Sequence, residues 1–221
     1  MTDGPSSPPP LPPAASNIFS RIVGLVTNPA GEWQKIDGES TSLGKLVMGY
    51  TLILSAILPI FFILGALLAG AASGGMGSVI LIAAIYYALQ VGVTIVLAFV
   101  IDALAPTFGG TKNSTQAAKL AVYGSTPLHL AGVIGILAMQ FLVGGLAWLW
   151  IIVGIGWGGF LLFLGIPILM RAAADKAPAY AGASVGAWLV LWVIAKVIVD
   201  QVVWNMIFGA YYGVARAYGG L

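Results

Sequence analysis

Residues 121–169 read AVYGSTPLHLAGVIGILAMQFLVGGLAWLWIIVGIGWGGFLLFLGIPIL, with no Asp, Glu, Lys or Arg anywhere in the run. A single straight helix of about 50 residues would measure about 75 Å, more than twice the roughly 30 Å hydrocarbon core of a bilayer. The Gly144-Gly145 pair near its middle is the natural turn, so the run is expected to fold back as two membrane-crossing helices.

Working outward, three more apolar stretches, 46–70, 78–101 and 184–208, join 121–143 and 146–169 as expected spans. The whole chain of 221 residues is 60% hydrophobic and 7% charged, with a mean hydropathy of +1.01. Nine basic and seven acidic side chains cannot cover a water-soluble body, whose surface is about 25–35% charged. The expected fold class is therefore an all-α membrane protein: a five-helix transmembrane bundle preceded by a short amphipathic helix. A net charge of +2 gives no support to a nucleic-acid partner, and the absence of cysteine removes disulfides, thiol catalysis and thiolate metal sites. Pro59, Pro127 and Pro167 fall inside expected spans and are candidate kinks, with Ser125 and Thr126 as donors for stranded carbonyls. Thirty glycines, and the Gly154/Gly158 and Gly182/Gly186 spacings, point to close helix packing or to a homo-oligomer.

Ahead of the first span, residues 1–16 hold six of the twelve prolines and read as a disordered, solvated tail. Residues 17–45 form an amphipathic cytoplasmic or interfacial segment, in which Ile18, Ile22 and Val26, with Phe19 and Val23 beside them, recur at helical spacing. Asn28-Pro29 interrupts this helix and starts another, placing Trp33 and Ile36 on one apolar side. With Arg21 and Lys35 nearby, the segment suits the membrane interface or the cytosolic ends of the spans. Phe19, Arg21, Asn28, Pro29, Trp33 and Lys35 are its candidate docking residues. The spans occupy 46–215 and a short tail follows at 216–221. With a cytoplasmic amino terminus, the inner segments carry Arg21, Lys35, Lys45, Lys112, Lys119, Arg171 and Lys176 and the outer ones only Arg216. That bias sets the orientation, and an odd number of spans sends the carboxyl terminus to the opposite side.

Few residues here carry chemistry. Lys196 and Asp200 are four apart, share a helix face and are expected to pair near the midplane of the last span, either as a structural pair or as part of a passage. Asp102 closes the second span, solvated or clasped by Lys119 or Arg171. His129 is the only histidine, so a zinc site lacks ligands, and a hydrogen-bonded histidine beside the Pro127 kink is the favoured reading over a proton shuttle. Gly182-Ala183-Ser184-Val185-Gly186 matches a hydrolase elbow, yet the histidine precedes the serine. Gly38 to Lys45 resembles a phosphate loop with the wrong spacing, and with Leu46 where Ser or Thr is required. No catalytic residue, metal or cofactor is expected.

Two segments resemble the Yip domain family. They are Arg21–Ile36, RIVGLVTNPAGEWQKI, and the stretch of Asp102, Gly109-Gly110 and Ala118–Pro127, AKLAVYGSTP, where a tyrosine, small residues and a proline open the third helix. The resemblance spans about residues 18–215. It implies a multispanning membrane protein with a cytosolic amino terminus. Eukaryotic relatives associate with Rab-type GTPases in vesicle traffic, whereas this chain, alanine- and glycine-rich with a short amino-terminal region, looks like a bacterial member of the inner membrane. The expected role is a non-enzymatic scaffold or partner-binding organiser in contact with lipid and a cytosolic or membrane protein. The alternative is a small transporter or permeation protein using Lys196 and Asp200.

Overall fold

A computed structural model describes residues 17–68, 75–132 and 147–218. Every regular element among them is helical. Two short helices, α1 (Ile18–Thr27) and α2 (Pro29–Gly38), form a hairpin. Then α3 (Leu43–Leu46) runs through a π-helical turn, Val47–Thr51, into α4 (Leu52–Leu68). The long α5 (Met76–Leu104) ends in a 3-10 turn, Ala105–Phe108. After α6 (Ser114–Gly124), the helix breaks at Ser125 and resumes as α7 (126–132). Two helices close the chain, α8 (Ala147–Leu169) and α9 (Ala177–Tyr218).

Four helices among the described residues are long and apolar enough to cross a membrane: Leu43–Leu68, Met76–Phe108, Ile152–Leu169 and Ala177–Asn205. The stretch expected as the third span, 121–143, is described only as far as 132. The Gly144-Gly145 turn and the proline-rich tail lie outside the described residues. At the carboxyl end, the 42 residues of α9 make a helix about 63 Å long, continuing through Tyr218, where a tail was expected from 216.

Packing follows the apolar pattern. α5 touches α4, α6 and α9, while α8 touches α9, α6 and α2. The core is one cluster in which Leu97, Ile101, Leu120, Leu161, Leu162 and Ile166 are sealed from solvent. Large apolar side chains also cover the outside, including Ile53, Ile80, Phe99, Ile152 and Val190, as a hydrocarbon solvent requires. Of the three prolines, Pro127 falls just past the break at Ser125, whereas helix continues through Pro59 and Pro167.

Glycine lets α6/α7 and α8 approach. A Cβ on Gly158 would stand 2.7 Å from the Gly124 carbonyl oxygen, and one on Gly154 would stand 2.9 Å from the Leu128 Cα. Gly182 and Gly186 have the same spacing, but a Cβ there meets nothing within 4 Å.

Candidate functional site: the charged end of the bundle

The hairpin begins with local chemistry. Asn17 accepts a hydrogen bond from the Ser20 N–H at 2.7 Å, which starts α1. Asn28 ends α1 by donating its N–H to the Gly24 carbonyl, and starts α2 through Oδ1, which accepts from the Gly31 N–H at 3.2 Å. Pro29 in the first turn has no N–H to leave unpaired. Gly24 matters because a Cβ there would lie 2.5 Å from the Glu32 carboxyl, which folds back across α1.

That carboxyl meets Arg21. The guanidinium donates from Nη1 to Glu32 Oε1 at 2.6 Å and from Nη2 to Glu39, and it lies 5.1 Å from the centre of the Tyr123 ring. Arg21 and Glu32 are both buried, and Lys35 adds a bond to Glu32 Oε2 at 3.0 Å from the solvent side. A buried guanidinium with two carboxylates and an aromatic face is well matched, and removal of any member strands a charge. Arg21 therefore anchors the hairpin and is not presented to a partner.

The far end of α2 is held by Lys119 of α6, a lysine only 1% exposed. Its Nζ donates to the carbonyls of Ile36 at 2.8 Å and Glu39 at 2.7 Å. Helix carbonyls in a last turn lack internal donors and carry partial negative charge, which an ammonium group satisfies. Burial pushes the Lys119 pKa down, while Glu39 and Asp37 act to raise it. Asp37 is fastened separately. Its Oδ1 accepts from Gln116 at 2.9 Å and its Oδ2 from Arg171 at 2.7 Å. Arg171 takes a left-handed backbone, φ 54°, which costs an L-residue about 1–2 kcal/mol, and its other nitrogen donates to the Ile168 carbonyl. Beneath the charges, Trp33 fills the groove over Gly165 of α8, where a Cβ would come within 2.8 Å of the indole. Fully buried, Trp33 is an anchor too and does not reach a membrane interface or a partner.

A polar file leads from this cluster into the bundle. Tyr123 meets Trp33 and Tyr50 edge-on, with centroids 6.5 and 4.9 Å away. The Tyr50 hydroxyl bonds Thr126 Oγ1 at 2.8 Å, and Ser55 Oγ bonds His129 Nε2 at 3.0 Å. The other ring nitrogen, Nδ1, faces the Ser125 carbonyl at 2.8 Å and must carry the proton, so Nε2 accepts from Ser55. His129 thus ties α7 to α4 with both nitrogens engaged. Among the described residues no three His, Cys, Asp or Glu side chains converge as a metal site.

The remaining candidates lie elsewhere. Lys196 and Asp200 do pair, at 2.5 Å, with side chains 39% and 59% exposed. They sit on the outer surface of the last helix. The helix that carries them starts at Ala177, where 184 was expected, and its first turn is tied to α5 by Tyr180, whose hydroxyl donates to the Ile101 carbonyl. Asp102 is clasped by neither Lys119 nor Arg171, because both are committed to α2, and its Oδ1 is buried without a hydrogen-bond partner. Phe19, Asn28 and Lys35 point outward, and Pro29 is half-buried. A shallow cleft of about 180 Å³ between α3, α5 and α6, lined by Leu43, Ala98, Phe99, Ser114 and Thr115, carries no charge.

The sequence offered Lys119 and Arg171 as clasps for Asp102 and not for α2, placed Tyr123 only within a family motif, and gave no role to Glu32, Glu39 or Tyr50. The available signal was the three carboxylates within eight residues at 32–39, in a chain that has only seven.

A family model described as Yip1 domain matches residues 23–195. No match was found among curated proteins or among solved structures.

Proposed function

Since the chain belongs to the Yip1 domain family, we propose that it is a non-enzymatic membrane organiser that presents its Asn17–Glu39 hairpin to a protein partner at the cytoplasmic face. One observation carries this reading: the hairpin is fixed on α6 and α8 by Arg21, Glu32, Glu39, Asp37, Lys119 and Arg171, while Phe19, Asn28 and Lys35 remain outward. Buried ionic groups seldom add stability over apolar ones, and their best-attested use is to fix register. A rigidly held surface helix pair suits recognition, because little ordering remains to be done on binding. The concentration of basic residues at this end supports a cytoplasmic hairpin, with the carboxyl terminus across the membrane, here read as a bacterial inner membrane. Catalysis has little to work with, since Ser55 and His129, although hydrogen-bonded, are both buried within the bundle and Nδ1 meets a backbone carbonyl instead of a carboxylate. A passage built on Lys196 and Asp200 has less support, as the pair lies on the outer surface of α9.

Deleting the hairpin would remove Trp33 and leave Lys119 without its acceptors, so point replacements are the cleaner test. A photo-crosslinking residue at Asn28 or at Lys35 of the full chain, irradiated in native membranes, is expected to give one discrete protein adduct from both positions. Absence of any protein adduct beyond that obtained from exposed Gln201 on α9 would overturn the docking role.

A further inference from the structure

We propose that α1 lies in the headgroup–acyl boundary of the bilayer, with Phe19, Val23 and Val26 inserted into an anionic lipid surface. The inference rests on the docking reading above and assigns the apolar half of that surface to lipid.

α1 is built the wrong way round for water. Its only charged residue, Arg21, is 2% exposed and faces inward with Leu25, while Phe19 is 75% exposed, Val23 41% and Val26 47%. Positions i, i+4 and i+7 lie along one face, so these three form a continuous apolar row. A helix that buries its charge and displays its hydrocarbon is oriented for an apolar solvent.

Lipid is the occupant favoured by two further observations. First, the inner face of α1 is seated on the end of a spanning helix: Arg21 lies over Tyr123, Tyr123 packs on Tyr50, and Tyr50 belongs to the first helix long enough to cross a membrane, Leu43–Leu68. Second, the exposed charges at this end of the bundle are predominantly basic. Glu32 is buried, Asp37 is held by Gln116 and Arg171, and the Glu39 side chain is 14% exposed. By contrast, the Lys35 and Arg171 side chains are 69% and 59% exposed and Lys45, Lys112 and Lys176 are exposed as well, against one exposed carboxylate among the described residues of this end, Asp175. An apolar row beside outward cations and inward carboxylates matches acyl chains under anionic headgroups.

The chain has no cysteine, so single-cysteine variants of the full protein can be labelled cleanly. Phe19→Cys, Val23→Cys and Val26→Cys, with Asn28→Cys as the reference, would carry a nitroxide in vesicles of phosphatidylcholine and phosphatidylglycerol. All four side chains are exposed; the three row residues make no side-chain hydrogen bond, and Asn28→Cys gives up only the α2 cap, about 1 kcal/mol. Collision with oxygen is expected to exceed collision with a water-soluble nickel chelate at all three row positions, and the order is expected to reverse at Asn28. Nickel access at any row position equal to that at Asn28 would overturn the proposal by placing α1 in water. Shielding from both reagents with spin–spin broadening would overturn it in favour of a second copy. The crosslinks from Asn28 and Lys35 are read separately, so loss of those adducts with an intact lipid signature would count against protein docking alone.

Discussion

Lys119 shows how one residue can hold an element in place. Its ammonium group donates to two carbonyls at the end of α2, those of Ile36 and Glu39, from a position only 1% exposed. Lys119→Met is expected to cost about 3 kcal/mol, because the Ile36 and Glu39 carbonyls lose a charged donor and the neighbouring carboxylates their counter-charge. Equilibrium unfolding of the variant in lipid checks this. The pH dependence has a definite sign. Burial lowers the folded pKa below the ordinary 10.5, so the unfolded chain binds more protons in the window between the two values. This lysine's contribution to stability should therefore be least favourable below the lowered pKa and rise with pH up to about 10.5, a rise that unfolding curves of Lys119→Met should lack. Arg21→Met is expected to cost about 3–5 kcal/mol, with part regained when Glu32→Gln is added, since the second change removes a stranded carboxylate. A double-mutant cycle on those variants reads that coupling directly. None of these pairings was legible in sequence, because Lys119 and its acceptors are about 80 residues apart and the apolar pattern carries no information on which distant charges meet.

At the scale of elements, periodicity located α1, and the Asn28-Pro29 pair correctly divided it from α2. Which face of α1 turns inward was not legible, since that choice is made by Glu32 on the next helix and by the Tyr123 ring on α6. Glycine spacing was similarly ambiguous. Gly154/Gly158 marks a close approach, but Gly182/Gly186, with identical spacing, marks none, because only the first pair faces another backbone. Gly158→Ala is expected to destabilise the bundle by about 1–3 kcal/mol, as its Cβ would collide with the Gly124 carbonyl and the Trp188 ring. Gly156→Ala on the same helix, with open space at its Cβ, should be neutral or slightly stabilising through helix propensity. Thermal unfolding of the two variants side by side separates packing from propensity.

For the whole molecule, composition was enough to establish a helical membrane protein, and the long uncharged runs located four helices able to span a membrane, while the expected third span, 121–143, is described only as far as 132. The last helix, α9, begins at Ala177, seven residues before its expected start. The apolar run overlooked that first turn because Ala177, Pro178, Ala179 and Tyr180 are only weakly hydrophobic, yet Tyr180 is fully buried against α5. Charge tells the larger story: the ionic contacts of the hairpin gather at one end, and together they convert a short surface segment into a fixed part of the bundle. Hydrogen exchange of the full chain in lipid discs tests that most directly. Amides of α2 should be as protected as those of α6 in the native protein, and in Lys119→Met the hairpin should lose protection while α5 and α9 keep theirs. Hairpin amides that exchange at unprotected rates in the native protein would contradict a clamped hairpin and the docking role that depends on it.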